Sequence, residues 1–158
     1  MLDGRCALVT GSVAGLGYTI AESLARAGAN VVMNGLCDLA EGRSASERLS
    51  AATGSEAVFC GADLRRVSEI ERMFDEAAAR FGKVDIVVNN AVVRHFSPID
   101  KLSTEDWEAA LAVNVSEHVC SANGIGRVFA HADLAAQAKH LAICNSEITE
   151  VLHSGFTG

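Results

Sequence analysis

The sequence predicts an α/β fold built on a doubly wound parallel sheet, with helices covering both faces. Short, nearly continuously apolar runs alternate with longer segments of helical periodicity, as expected when parallel strands are buried on both faces. The connections between them are short, and a β-α-β order then implies right-handed crossovers. A glycine-rich turn follows the first apolar run, between a predicted strand and a predicted helix.

Four apolar runs are predicted to form the strands. They are "CALVT" at 6–10, "NVVMN" at 30–34, "AVFCGA" at 57–62 and "VDIVVNN" at 84–90. Each is rich in small and β-branched residues, which favour buried strands. Between residues 1 and 90 the sequence therefore predicts four parallel strands joined by three helices.

The helix over 68–81 has the clearest periodicity. Its apolar residues recur at the spacing of one helical face, and they are Ile70, Met73, Phe74, Ala77 and Phe81. Ser68 with Glu71 has the spacing of a capping box, which predicts the helix start, and Gly82 predicts its end. Gly28 and Gly54 mark the ends of the two preceding helices in the same way.

Composition favours one globular domain over residues 1–158. The 158 residues are 49% hydrophobic and 21% charged, which is sufficient for a packed core. The formal net charge of -7 argues against a nucleic-acid partner, which requires clustered Lys and Arg. No apolar run reaches the length of a membrane span or a signal peptide, so we expect no membrane partner and a cytoplasmic location.

The five cysteines predict neither disulfides nor a metal site. Their number is odd and no C-x-x-C pair occurs, so we interpret them as small apolar residues with free thiols. The histidines add no standard zinc spacing, whether His118 is taken with Cys120 or His140 with Cys144.

The glycine-rich turn "TGSVAGLG", residues 10–17, is a candidate phosphate-binding loop. Its glycines are Gly11, Gly15 and Gly17, a spacing that differs from the common dinucleotide pattern G-x-G-x-x-G. Backbone N–H groups near Ser12, Leu16 and Gly17 would face a diphosphate at the positive end of a helix dipole. The alternative is a tight turn that needs glycine only for its positive φ angles.

Four stretches together resemble the short-chain dehydrogenase/reductase family, in order and in spacing. "TGSVAGLG" resembles the T-G-x-x-x-G-[IL]-G cofactor loop of that family, and "ADL" at 62–64, "NNA" at 89–91 and "LAVNVS" at 111–116 resemble three further motifs. The resemblance covers about residues 1–117. "MNGL", "GADL" and "PIDKLSTEDWEAALAVN" look most like the 3-hydroxybutyrate dehydrogenase branch.

This resemblance implies a Rossmann-like fold, a nicotinamide cofactor and a set of site residues. Asp63 would meet the adenine ring, and Asn114 would be the asparagine of the catalytic tetrad. The implied cofactor-binding residues are Gly11, Ser12, Gly15, Leu16, Gly17, Asp63, Leu64, Asn90 and Ala91. Two residues depart from the family pattern: Val92 replaces the last glycine of N-N-A-G, and Arg94 stands nearby in the same loop.

Asn114 is also anomalous by its position on a helix. The helix that Ser103 opens, with Asp106 three residues later, carries an apolar stripe of Trp107, Ala110, Leu111 and Val115, and Asn114 falls within it. A buried amide must find partners. It is either a structural asparagine that joins neighbouring strands or, as the resemblance implies, part of a kinked helix whose free carbonyl anchors a water.

The second strand ends without a clear mark of cofactor choice. An acidic residue there would bind both ribose hydroxyls, whereas an arginine would favour a 2′-phosphate. The sequence offers Asn34 at this point, with Asp38 four residues further on, and Arg43 is better interpreted as a solvated helix residue. Because no basic residue stands at 34–37, and because the similar branch uses NAD, we predict NAD rather than NADP.

The Tyr-x-x-x-Lys pair that serves hydride transfer in this family does not occur. The sole tyrosine, Tyr18, follows the glycine-rich turn and is interpreted as a packing residue. In "AAQAKH", Ala135 stands where the tyrosine belongs, so Lys139 is interpreted as a solvated helix lysine. Without this tyrosine, we expect either weak catalysis or none.

The segment 118–158 has a different character from the rest. It holds four of the five histidines, and only "GRVFAHA" at 126–132 still suggests a strand. The sequence therefore predicts a C-terminally truncated or divergent form of the fold, through a frameshift, an internal deletion or a divergent paralogue. Losing late strands would leave an uncovered sheet edge and apolar helix faces, from which we expect a homo-oligomer.

The sequence supports two functions, and we favour the first. The first is an NAD(P)-dependent oxidoreductase that transfers a hydride between the cofactor and a small hydroxyl or carbonyl substrate, such as a 3-hydroxy acid. The second is a non-catalytic nucleotide-binding or assembly module derived from the same family. The glycine-rich turn with Asn114 favours the first, and the missing tyrosine favours the second.

Overall fold

The computed structural model describes residues 1–94, 98–116 and 142–144. These residues contain one sheet of five parallel strands in the order β3-β2-β1-β4-β5. The strands are β1 (Cys6–Val9), β2 (Asn30–Asn34), β3 (Ala57–Cys60), β4 (Ile86–Asn89) and β5 (Ala142–Cys144). Strand order reverses between β1 and β4, which confirms the predicted doubly wound sheet.

Helices connect the strands in the predicted order. They are α1 (Gly15–Arg26), α2 (Leu39–Thr53), α3 (Val67–Phe81) and α4 (Thr104–Leu111), and a π-helical turn (Ala112–Ser116) continues α4. The left-handed glycines Gly54 and Gly82 end α2 and α3, as the sequence predicts. Gly28, with a φ of 101°, follows the end of α1.

The sheet is buried on both faces, which explains why its strands are continuously apolar. On one face Leu8 and Val87 pack with Phe74 of α3. On the other face Val9 and Val88 pack with residues of α1 and α2. Because side chains alternate along a strand, a strand buried on both faces keeps few polar positions.

The start of α3 corrects one sequence expectation. The helix begins at Val67 with Arg66 at its N-cap and no side-chain cap, so Ser68 lies inside the helix and does not open it. Glu69 accepts a hydrogen bond from the Asp63 backbone N–H at 2.8 Å and thereby fastens the preceding turn. The predicted apolar face of α3 is confirmed, since Ile70, Met73, Phe74 and Ala77 are buried.

Helix α4 begins as predicted but buries a different face. The Ser103 hydroxyl accepts a hydrogen bond from the Asp106 N–H at 3.1 Å. The stripe that we expected to be buried is exposed, with Trp107 at 52%, Leu111 at 39% and Val115 at 56%. The side that faces the cavity carries Asp106, Ala109 and Val113, and Val113 is buried.

Several sequence interpretations fall outside the described residues. These are the strand predicted at 126–132, the helix lysine Lys139 and the histidines His118, His131, His140 and His153. The fifth strand of the described sheet is Ala142–Cys144, which pairs in parallel with β4.

Candidate functional site

A cavity of about 640 Å³ lies at the carboxyl ends of the parallel strands. Its walls come from the β1–α1 turn, the ends of β2 and β3, the loop after β4, and the inner face of α4. It therefore spans the switch point between β1 and β4, where open α/β sheets bind their ligands. Most of its lining is apolar or backbone, and the polar contributors include Asn34, Asp63, Arg65 and Asn90.

Glycines allow close backbone packing beneath this cavity. Gly11 has a φ of 60°, and a Cβ built on it would stand 2.9 Å from the Ala91 Cα. A Cβ on Gly17 would overlap both the Gly11 carbonyl oxygen and the Asn90 side-chain nitrogen. Gly15 differs, since it has a φ of 59° but no atom within 4 Å of its built Cβ. The turn thus needs its glycines for geometry, and the surface at Gly15 stays open.

The N-terminus of α1 points free donors at the cavity wall. Ala14 is the N-cap residue, and its methyl group provides no cap. The amides of Gly15, Leu16 and Gly17 belong to the first helical turn, which has no intrahelical acceptors for them. Ala14, Leu16 and Gly17 line the cavity. Uncapped donors at the positive end of a helix dipole are suited to an anion.

Ser12 lies behind this surface and corrects part of the expected donor set. Its N–H donates to the Asn34 carbonyl at 2.8 Å, and its hydroxyl donates to the Val9 carbonyl at 2.7 Å. Ser12 is fully buried and does not line the cavity. Its groups therefore hold β1 against β2 and are not available to a ligand.

Thr10 and Asn90 join the glycine-rich turn to the loop after β4. The Thr10 hydroxyl accepts hydrogen bonds from the Asn90 and Ala91 amides at 3.0 and 3.1 Å. The Asn90 side chain donates to the carbonyls of Thr10 and Gly11 at 3.0 and 2.9 Å. These four bonds fix the two cavity-forming loops relative to each other. Sequence reasoning missed Thr10, although a hydroxyl directly after a buried strand was a visible signal.

Asp63 is held in place by Arg65. The Arg65 guanidinium donates two bonds to the Asp63 carboxylate, at 2.9 Å from Nε and 2.7 Å from Nη2. These hydrogen bonds lower the pKa of Asp63 below its usual range, so the carboxylate stays ionised near neutral pH. Both residues line the cavity on the β2–β3 side, next to Leu64.

Asn34 is fixed at the end of β2 by its own side chain. Its Nδ2 donates to the carbonyls of Cys60 and Ala62 at 3.0 and 2.9 Å. Asn34, Gly35 and Leu36 all line the cavity, and none of them is charged. The end of β2 therefore presents no cation to a bound ligand.

Asn114 lies in the π-helical turn, and both ends of its side-chain amide bond to Val93. Its Oδ1 accepts from the Val93 N–H and its Nδ2 donates to the Val93 carbonyl, both at 2.9 Å. The amide thus pairs with the loop after β4 as a neighbouring strand would. This geometry satisfies the structural interpretation of Asn114, and the neighbouring Val113 lines the cavity.

Most of the predicted cofactor residues meet at this cavity. Those that line it are Gly11, Leu16, Gly17, Asp63, Leu64, Asn90 and Ala91. Gly15 lies in the same turn, and Asn114 supports the loop from behind. Leu36, Arg65 and Val113 were not predicted, because no local pattern distinguishes a lining residue from a surface residue.

The described ranges contain neither a metal-binding cluster nor a membrane-spanning helix. No group of three or more His, Cys, Asp and Glu residues there is placed to hold a metal ion. None of the helices in those ranges combines the length and apolar character needed to cross a bilayer.

Curated relatives share this chain's sequence over most of its length. A D-beta-hydroxybutyrate dehydrogenase of Cupriavidus necator is 40% identical over 116 residues, covering 73% of this chain and 44% of the relative. A protein of the same name from Rhizobium meliloti is 31% identical over 175 aligned positions, covering 97% of this chain and 68% of the relative. The chain thus spans less than half the length of the first relative.

Solved structures resemble this chain's fold over most of its length. A short chain dehydrogenase from Burkholderia cenocepacia, solved in complex with NADP, superposes with a TM-score of 0.75 and 32% identity over 80% of this chain and 51% of that one. The family model described as "short chain dehydrogenase" matches residues 5–120. That range holds the glycine-rich turn, β1 to β4 and the Asn114 turn, and the chain therefore belongs to the short-chain dehydrogenase family.

Proposed function

We propose that this chain forms the cofactor-binding part of an NAD(P)-dependent oxidoreductase. The reaction would transfer a hydride between a nicotinamide cofactor and a small hydroxyl or carbonyl substrate, such as a 3-hydroxy acid. One observation carries the proposal: the uncapped N-terminus of α1 opens into a cavity at the switch point of the sheet. The names of the two hydroxybutyrate dehydrogenase relatives support the substrate class.

The residues of the turn fit a dinucleotide diphosphate. The amides of Gly15, Leu16 and Gly17 would donate to its oxygens, and the open space at Gly15 admits its close approach. Gly11 and Gly17 pack so tightly that their side-chain positions are filled by protein. When bound, the nicotinamide supplies the hydride chemistry. The chain itself binds, orients and shields the cofactor.

We propose NAD as the cofactor. The cavity wall at Asn34, Gly35 and Leu36 has no cation for a 2′-phosphate. Arg65 is nearby, but its Nε and Nη2 are committed to Asp63. The solved relative from Burkholderia cenocepacia binds NADP, so this choice needs a direct comparison of the two cofactors.

A second candidate function is a non-catalytic nucleotide-binding or assembly module. Tyr18, the sole tyrosine, packs against the core beneath α1, and Arg48 stacks 5.9 Å from its ring centroid. Tyr18 therefore packs away from the cavity and does not line its wall. A positioned proton donor contributes ~10²–10⁴-fold to such reactions, so turnover reduced by that factor relative to a full-length relative would favour this second function.

We further propose that the protein is a cytoplasmic homo-oligomer. The exposed apolar stripe of Trp107, Leu111 and Val115 on α4 supports self-association. The described cysteines Cys6, Cys37 and Cys60 are free thiols, as expected in a reducing compartment.

The phosphate-binding role is tested with Gly15→Val and calorimetry. The valine side chain would fill the approach to the α1 amides, and NAD⁺ binding should weaken at least about tenfold, which is about 1.4 kcal/mol. Gly82→Val is the matched control, because Gly82 has a φ of 80° and equally open surroundings but ends α3. Both variants suffer the same backbone strain. Equal affinities in the wild type and Gly15→Val would reject the phosphate-binding role.

A further inference from the structure

Different residues line the two sides of the cavity. On the β2–β3 side the wall consists of Gly35, Leu36 and the Asp63–Arg65 pair. On the β4 side the wall includes Ala91, Val92 and Val93. In doubly wound folds the ribose next to the adenine binds at the end of β2, so the second nucleotide lies on the β4 side.

Val92 projects from that second side. It lines the cavity, and 44% of its surface is exposed. A β-branched side chain has few rotamers, so it has little freedom to swing away from a ligand. A residue without a side chain would leave this volume empty.

The backbone around Val92 is fixed on both sides. Before it, the Ala91 amide donates to the Thr10 hydroxyl at 3.1 Å. After it, the Val93 backbone is held at both its N–H and its carbonyl by Asn114. Displacing Val92 would break hydrogen bonds in partly buried surroundings, each costing about 1 kcal/mol or more. A ligand therefore meets Val92 as a rigid obstacle.

We propose that Val92 makes this cavity selective for the adenosine diphosphate half of a dinucleotide, so that ADP-ribose binds at least as tightly as NAD⁺. This inference rests on the proposed nucleotide-binding function and narrows its ligand. The nicotinamide half should add no affinity, because the Val92 side chain occupies part of the β4 side. Shortening the Val92 side chain should restore the affinity for the nicotinamide half and leave the affinity for the adenosine half unchanged.

Calorimetry with ADP-ribose and NAD⁺ on the full chain tests this selectivity. The wild type should bind ADP-ribose at least as tightly as NAD⁺. Val92→Ala should tighten NAD⁺ binding about tenfold and leave ADP-ribose within about twofold of wild type, since one or two methyl groups in a pocket have effects of this size. Val67→Ala is the matched control, because Val67 is 55% exposed at the start of α3 and outside the cavity.

The possible outcomes distinguish a failure of this selectivity from a failure of the proposed nucleotide binding. NAD⁺ binding ten times tighter than ADP-ribose in the wild type would overturn the selectivity and leave nucleotide binding intact. An equal gain for both ligands in Val92→Ala would do the same. If neither ligand binds, the proposed function itself fails, and this inference fails with it. Should Val92→Ala not fold, the wild-type comparison alone decides, with Val92→Thr as a variant that keeps the branched shape.

Discussion

Asn114 shows how one side chain fixes a functional loop. Its two hydrogen bonds to Val93 are each 2.9 Å long and use both halves of the amide. A hydrogen-bond pair of this kind imitates the exchange between paired strands. The π-helical turn at Ala112–Ser116 ends the α-helical pattern in the segment where the resemblance implies a kink. A catalytic role for Asn114 stays a prediction.

Asn114→Ala should lower the free energy of unfolding by about 1–3 kcal/mol, because both backbone groups of Val93 lose their partner. Urea denaturation measures this change. Asn30→Ala is the control, since Asn30 Oδ1 accepts a single, longer bond of 3.3 Å from the Glu56 amide in an exposed setting. A difference below about 0.5 kcal/mol for Asn114→Ala would refute the structural role.

The sequence predicted individual residues where a motif fixed both spacing and side-chain type. Asp63 and Asn90 both line the cavity, and their contact with a cofactor stays a prediction. It failed for Ser12, whose backbone and side chain are both used between β1 and β2. Local spacing places Ser12 in the turn, but only the pairing with Asn34, 22 residues away, reveals its orientation.

At the scale of elements, Asp85 ties β1 to the start of β4. Its carboxylate accepts bonds from the Cys6 N–H at 2.8 Å and from Arg5 at 2.6 Å, and Lys83 lies 3.0 Å away. Burial raises the pKa of Asp85, but these three donors together outweigh burial and hold the pKa below its usual value. The ionised form is therefore the one that stabilises the fold.

Asp85→Asn should cost about 1.5–3 kcal/mol of stability near pH 7, the usual value of hydrogen bonds to a charged group. A lowered native pKa gives stability that is present above the unfolded value of about 3.9 and lost as pH falls through the native pKa. The gap between wild type and variant should therefore shrink below about pH 4. Urea titrations across this range measure it, with exposed Asp75→Asn on α3 as the control. A gap independent of pH would contradict the role of the charge.

Element prediction succeeded where periodicity was long and failed at one boundary. The buried face of α3 follows directly from four apolar positions at helical spacing. Its start did not, because Ser68 and Glu71 have capping-box spacing while the observed N-cap is Arg66, two residues earlier and without a side-chain cap. For α4, the side with Ala109 and Val113 lines the cavity, and the more apolar side that we expected to be buried is exposed.

The whole molecule presents an apolar stripe along α4. Trp107, Leu111 and Val115 follow one another at intervals of four residues and are all exposed. The inner face of the same helix lines the cavity through Ala109 and Val113. A second copy of the chain that covered the outer face would therefore also support the cavity wall.

Leu111→Lys should shift the protein towards monomer, because a charge would be desolvated at the centre of the stripe. Sedimentation velocity at several concentrations measures the shift. Val67→Lys places the same charge on exposed α3 and should leave the assembly unchanged. A wild type that is already monomeric at tens of micromolar would reject the homo-oligomer.

The doubly wound parallel sheet was predictable because short apolar runs alternate with helical segments and the connections among the first four strands are short. The cavity walls were harder to predict from sequence, since residues as distant as Gly11, Leu36 and Val113 meet only after the sheet is assembled. The interpretation of residues 1–158 as a single domain stays a prediction.

The hydrogen bonds of Thr10, Asn90 and Asn114 have a mechanical consequence. They form a continuous path from the glycine-rich turn, through the loop after β4, to the π-helical turn. Neither loop can open alone without breaking bonds that hold the other. Opening either loop therefore costs the free energy of the bonds that they share. We therefore expect the two loops to move together, and a ligand bound to either loop should reduce the motion of the other as well.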